Sequence, residues 1–219
     1  MPLKAYNMLE GESMDTTFNP TKIIAVGLNY LEHGKELKMD IPGHPILFMK
    51  PPTSIIGNGG AIILPPQTRE LNYEGELAVV IKERARNVAK DKAGRFIAGY
   101  TCANDVTARD LQRIDGQWTR SKSFDTFCPL GPRVVSDIDP RHLAITTRVN
   151  EVVKQDSNTR NMIFDVYELV SFISEIMTLL PGDIILTGTP QGVGAIRVGD
   201  TVEVEIEHIG TLKNIVRGQ

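Results

Sequence analysis

The stretch Leu71-Asn72-Tyr73-Glu74-Gly75-Glu76-Leu77-Ala78-Val79-Val80-Ile81-Lys82 decides how the chain is read. Its polar and apolar residues alternate, so Tyr73 to Lys82 is expected to be a strand. Tyr73, Leu77, Val79 and Ile81 fall on one face, and Glu74, Glu76, Ala78 and Val80 on the other. Two carboxylates then project side by side. An isolated E-x-E usually marks a solvated face, because glutamate is mostly exposed. Here Ala78 and Val80 continue that face as apolar residues, which puts the glutamates at the mouth of a buried region. Like charges so close raise one another's pKa unless a cation neutralises them. Asp105, closing the strand-like run IAGYTCAND (97–105), points with Ala103 and Thr101 and is the third candidate. Three convergent carboxylates suit a hard divalent ion such as Mg²⁺, which takes oxygen ligands and keeps positions open for water or substrate. His33, His44, His142 and His208 show no H-x-x-x-H, H-x-H or H-x-D spacing, so a zinc hydrolase or a facial-triad iron site has no support.

Outward from this segment, period two dominates. Strands are expected at 23–27, 46–49, 61–64, 96–105, 133–136, 143–149, 152–155, 184–187 and 201–207, most bounded by Gly, Pro, Asn or Asp. The last, TVEVEIE, holds a second E-x-E, but Val202, Val204 and Ile206 supply its buried face, so Glu203 and Glu205 face water. One long helix is expected after Asp165, whose side chain and Glu168 resemble a capping box. Its apolar stripe runs from Val166 to Leu180, and Pro181-Gly182 stops it. A shorter helix over 108–112 would be capped by Thr107. This is a β-rich α+β pattern, not the regular strand–helix alternation of a doubly wound sheet.

Composition narrows the class. The 219 residues include 19 Gly and 13 Pro, 32 in all, and 41% hydrophobic residues, which excludes a disordered chain or a coiled coil. Net charge is −3 and the 24 Lys and Arg are scattered, so no nucleic-acid footprint is present. No apolar run approaches the roughly 18 residues of a membrane helix, and MPLKAYNMLEGES lacks a signal-peptide core; a soluble, cytoplasmic protein is expected. Cys102 and Cys128 read as reduced core thiols.

Three further segments carry chemistry. His33 and Glu36 in NYLEHGKELK are neighbours on a helical turn, where the carboxylate would orient the imidazole and raise its basicity; the alternative is a solvated charged helix. Three carboxylates and one divalent ion sum to −1, so an anionic substrate needs another cation. Lys122 is the candidate, with Arg109 or Arg120 as substitutes, although Arg109 has Asp110 and Asp105 as alternative partners. GTPQGVG (188–194) lacks the Lys and Ser or Thr of a P-loop, and its glycines, Gly188 first, are expected to let backbone N–H groups approach a carboxylate beside Thr189.

The ordered blocks GLNYLEHGKE, LFMKPPTSIIG, YEGELAVVI, ANDVTARDLQ, WTRSKSFDTFCPLGP and PGDIILTGTPQGVG, from about Ile23 to the C-terminus, together resemble the fumarylacetoacetate hydrolase family. The match is nearest its small single-domain branch of acylpyruvases and oxaloacetate decarboxylases or tautomerases. That resemblance implies a mixed β-sandwich or β-roll and a homodimer. Residues 1–20 would be an N-terminal extension and 21–219 one catalytic domain with a lid at 29–44. By resemblance, Glu74, Glu76 and Asp105 are ligands of Mg²⁺ or Mn²⁺, Lys122 is the active-site lysine, and Thr189 helps hold the substrate carboxylate. His33 and Glu36 form a dyad on the lid, and Gln112 orients the reacting intermediate. Leu28 departs from the pattern, standing where relatives often carry a basic residue.

The expected function is divalent-metal-dependent C–C hydrolysis of a small acylpyruvate-type 2-oxo acid through a stabilised pyruvate enolate. Oxaloacetate decarboxylation, keto–enol tautomerisation and 2-hydroxyhepta-2,4-diene-1,7-dioate isomerisation pass through the same enolate and remain alternatives. A non-catalytic 2-oxo-acid-binding protein is the alternative outside enzymes.

Overall fold

The alternating run at 71–82 folds as two strands, not one. In the computed structural model, which describes residues 18–36 and 42–219, the ladder breaks at Glu74. Residues 1–17 of the expected extension and 37–41 of the expected lid lie outside the described residues. The strands are β1 (Ile23–Gly27), β2 (Ile46–Lys50), β3 (Ile55–Ile56), β4 (Ala61–Leu64), β5 (Leu71–Tyr73), β6 (Gly75–Ile81), β7 (Ile97–Asn104), β8 (Thr107–Ala108), β9 (Cys128–Val135), β10 (Ala144–Val149), β11 (Val152–Asn158), β12 (Ile184–Leu186), β13 (Gly194–Ile196), β14 (Thr201–Ile206) and β15 (Gly210–Gly218). The helices are α1 (Leu31–Glu36), α2 (Arg109–Asp115), α3 (Thr119–Lys122) and α4 (Val166–Ile176).

Three sheets result, with strand orders β2-β1-β12-β6-β7-β9-β3, β11-β10-β14-β15-β4 and β13-β5-β8. Pairing is mixed: β1–β12, β15–β4 and β3–β9 are parallel and the other pairs antiparallel. This is the expected β-rich α+β architecture. One face of β6 sends Leu77, Val79 and Ile81 into the main core, where they meet Ile145, Val204, Ile206 and Leu212 of the second large sheet and the buried stripe of α4. Each such side chain contributes roughly 1.5–3 kcal/mol by leaving water. The other face sends Ala78 into a separate cluster with Ala25, Ala103, Ile184 and Leu186, as the apolar continuation of the glutamate face required.

The break at Glu74 has a cause. Tyr73 pairs with Gly194 in the small sheet, whereas Gly75 pairs with Asn104 in the large one, so the chain changes sheets between them. Gly75 also lies against β10: a Cβ there would sit 2.0 Å from Thr147 Oγ1.

Other boundaries differ from the alternation. Asp165 caps α4, accepting from Glu168 N–H at 2.9 Å, but the helix ends at Ile176 and not Leu180, because Leu179 forms a bridge with Ala85. Thr107 does not cap α2; its hydroxyl donates to the Asp105 carbonyl at 2.9 Å and Thr107 belongs to β8. β9 starts at Cys128, earlier than Arg133, since Pro129 and Gly131-Pro132 disguise it. β15 escapes the pattern because Asn214 occupies a buried position, its amide donating to the Gly57 and Gly60 carbonyls. Among the described residues no helix is long and apolar enough to cross a membrane.

Candidate active site

Glu74, Glu76 and Asp105 converge. Each is buried, and one carboxylate oxygen from each lies within 4.8 Å of the others. Backbone pairing brings them together: Asp105 N–H donates to the Glu74 carbonyl at 2.8 Å, and Glu74 N–H donates to Asn104 Oδ1 at 2.9 Å. Glu76 follows two residues on, at the start of β6.

Three cations meet them. Lys122 Nζ donates to Glu74 Oε2 at 2.8 Å and to Asp105 Oδ2 at 2.6 Å, and stands 5.0 Å from the centre of the Phe48 ring. Arg109 pairs with Glu74 through Nη2 and holds Gln112 Oε1 through Nη1 at 2.5 Å. Its expected partners Asp110 and Asp105 are otherwise engaged, Asp110 by Thr68 and by Arg69 N–H. Arg120 does not join, pairing with Asp115 at the surface. The third cation was missed: Lys50, at the end of β2 and 1% exposed, donates to Asp105 Oδ1 at 2.6 Å. The signal for it was a lysine closing an apolar strand just before Pro51-Pro52. Three carboxylates and three cations sum to zero, so a divalent ion would bring the cluster to +2, not the −1 counted from the acids and the ion alone.

The two glutamates have opposite electrostatics. Burial alone would raise Glu74, but the Lys122 and Arg109 charges hold its carboxyl at about 2. Burial and the nearby charges of Asp105 and Glu74 push Glu76 well above the usual carboxylate range. Burial disfavours the Lys122 ammonium, yet Asp105 and Glu74 outweigh it and hold that pKa up. Among the described residues Glu76 forms no ion pair; it accepts from Gly188 N–H at 2.7 Å. An all-oxygen donor set with one carboxylate uncompensated is what a hard divalent cation fits.

Glu74, Glu76, Lys122 and Arg109 line one cavity of about 440 Å³, together with the polar His33, Gln112, Arg113 and Thr189 and the apolar Val26, Leu28, Phe48 and Trp118. His33 is buried on α1 with its Nδ1 3.1 Å from Glu36 Oε2, so the solvated-helix alternative fails for the histidine and holds for Glu32 and Lys35, an exposed pair. Phe48 and Trp118 pack edge to face at 5.1 Å. Leu28 reaches the cavity wall with φ 56°, so no cation stands at that position.

The glycine loop works differently from expectation. Gly188 N–H and Gly192 N–H do meet carboxylates, but those of Glu76 and Glu36, the protein's own. Thr189 Oγ1 donates to the Gly75 carbonyl at 3.0 Å and accepts from Gln155 Nε2 at 2.8 Å, so its single hydrogen is committed within the protein.

A family model for the fumarylacetoacetate (FAA) hydrolase C-terminal region matches residues 22–217. An uncharacterized protein of Methanocaldococcus jannaschii is 60% identical over 210 residues, covering 95% of this chain and 89% of that one. A mitochondrial oxaloacetate tautomerase of Bos taurus is 46% identical over 209 residues, 90% of this chain and 67% of its own. The crystal structure of a 5-carboxymethyl-2-hydroxymuconate delta-isomerase from Mycobacterium smegmatis superposes with a TM-score of 0.88 at 49% identity, covering 93% of this chain and 81% of its own.

Proposed function

The chain belongs to the fumarylacetoacetate hydrolase family, and from that premise we propose that it is a divalent-metal-dependent enzyme that interconverts keto and enol forms of a small 2-oxo acid. The single observation that carries this reading is that one cavity is lined both by Glu74 and Glu76, which share a buried acidic cluster with Asp105, and by buried His33, whose Nδ1 meets the exposed Glu36. Hydrolysis stood first on the sequence; the tautomerase and isomerase names of relatives at 46% and 49% identity move proton transfer ahead of it.

Glu74, Glu76 and Asp105 would hold Mg²⁺ or Mn²⁺, whose chemistry is Lewis-acid polarisation of a 2-oxo group. Lys50, Lys122 and Arg109 equal the three carboxylates in number, though they pair only with Glu74 and Asp105, so the loaded site carries net positive charge and suits a dianion such as oxaloacetate. In the tautomer that carries its hydrogen on Nδ1, His33 donates to Glu36 Oε2, 3.1 Å away, and Nε2 is left as the basic nitrogen. Nε2 takes a proton from C3 of the keto form and then delivers that proton to the 2-oxo oxygen, so the imidazole is regenerated and composition is unchanged. Gln112, fixed by Arg109, orients the planar enol.

The test follows the enol absorbance of oxaloacetate with Mg²⁺ or with EDTA. The parent accelerates equilibration only with the ion. His33→Ala loses on the order of 10²- to 10⁴-fold of that rate while Mn²⁺ affinity, read by calorimetry, stays within about twofold. Wild-type turnover in His33→Ala removes it from the reaction, and silence on every 2-oxo acid tried favours a binding protein.

The cavity supports C–C hydrolysis as a second reading, because its apolar wall of Leu28, Phe48 and Trp118 leaves room for an acyl group. Conversion of acetylpyruvate to pyruvate and acetate distinguishes it. The reading includes a cytoplasmic homodimer, checked by light scattering and fractionation.

A further inference from the structure

One buried amide ties the two walls of the site together from behind. Gln155 lies on β11, in the sheet whose strands contribute no side chain to the cavity lining, and is 1% exposed. Its Oε1 accepts from Gly75 N–H at 3.0 Å, and its Nε2 donates to Thr189 Oγ1 and to the Pro190 carbonyl, each at 2.8 Å. Thr189 Oγ1 donates in turn to the Gly75 carbonyl at 3.0 Å. These bonds close a ring on Gly75, the residue between the two glutamates.

Donor chemistry fixes every direction in the ring. Gly75 N–H can only donate, so the amide oxygen faces it, and both amide hydrogens then face Thr189 and Pro190. Thr189 has one hydrogen, and the Gly75 carbonyl takes it. A turned amide would oppose two donors and leave the buried Pro190 carbonyl unpaired. The neighbouring residue completes the clamp, since Gly188 N–H holds Glu76 Oε2. Thr147 and Gln155, paired across β10 and β11, both face Gly75, and a Cβ there would lie 2.0 Å from Thr147 Oγ1 and 3.2 Å from Gln155 Oε1, so only glycine lets the ring close.

We propose that Gln155 is a positioning residue: acting through Thr189, it locks the Glu74-Gly75-Glu76 backbone to the 188–190 loop and so sets the spacing of the two glutamate ligands. This rests on the reading of those glutamates as cation ligands.

The test titrates Mn²⁺ into the full chain and into Gln155→Met, Thr189→Val, the double variant and Thr189→Ser, with melting in EDTA to confirm folding. Each of the first two weakens Mn²⁺ binding about tenfold, as loss of a group behind the ligands does. The double variant also loses about tenfold and not a hundredfold, because the ring is broken only once. Thr189→Ser, which keeps the hydroxyl, stays within about twofold of the parent. Parent-like affinity in folded Gln155→Met, or additive losses in the double variant, overturns the inference while the proposed function stands. If Gln155→Met does not fold, equal affinities in Thr189→Val and Thr189→Ser overturn it instead. Failure of the parent to bind Mn²⁺ overturns both.

Discussion

Two E-x-E segments with the same local pattern have opposite fates. Glu74-Gly75-Glu76 is buried beside three cations, whereas Glu203-Val204-Glu205 on β14 points outward, its glutamates paired across the strands with Lys213 at 2.8 Å and Arg148 at 2.5 Å. Their central residues nearly touch: a Cβ on Gly75 would lie 3.3 Å from Val204 Cγ1. In the outer segment the central side chain faces the core and turns the glutamates to solvent. In the inner one the central residue has no side chain, the two large sheets close on it, and the glutamates face the opposite side, into the cavity. The same charges thus stand in different dielectrics, where ion pairs have different worth.

Removing one cation from each pair probes that difference most strongly. Lys122→Met leaves buried carboxylates short of a partner and costs about 3 kcal/mol or more in EDTA, whereas Lys213→Met costs less than about 1 kcal/mol; denaturant unfolding of both variants measures the gap, and equal losses would erase the contrast. Next comes the close approach of the sheets. Gly75→Ala costs about 1–3 kcal/mol through overpacking, and Thr147→Ala in the same chain, by removing the oxygen 2.0 Å away, returns part of it. No recovery in the double variant would mean that Thr147 is not the obstacle.

Charge-to-amide changes are gentler because glutamine keeps the shape, and they separate Glu74 from Glu76 by sign. Glu74, held at about 2 against an ordinary 4.5, contributes stability that is present above pH 4.5 and lost as pH falls toward 2. Glu76, raised by burial and by the charges of Asp105 and Glu74, contributes stability that is complete below pH 4.5 and lost as pH rises through its folded-state value. In EDTA at neutral pH, Glu74→Gln therefore lowers the melting temperature and Glu76→Gln raises it, with both differences shrinking in acid. Glu205→Gln shifts stability by less than about 0.5 kcal/mol. Melts across pH check all three, and shifts of one sign at positions 74 and 76 would break the distinction.

Much of this was legible in the chain. Alternation at 71–82 and 97–105 located the carboxylates because strand faces repeat every second residue, and Asp165 with Glu168 marked the start of α4 because a cap is a local bond. Features that failed depended on distant partners. Glu74 interrupts its strand because Tyr73 and Gly75 pair in different sheets, and α4 ends early because Leu179 joins Ala85.

By itself the sequence determined the strand-rich class, the paired glutamates at 74 and 76 and the His33–Glu36 pairing at helical spacing, since each follows from neighbours a few residues apart. Only the tertiary structure decided that Lys50, 55 residues before Asp105, neutralises it, and that Gln155, 80 residues after Gly75, clamps the glutamate backbone. Such contacts arise from the order in which strands join the sheets, and no periodicity in the chain encodes that order.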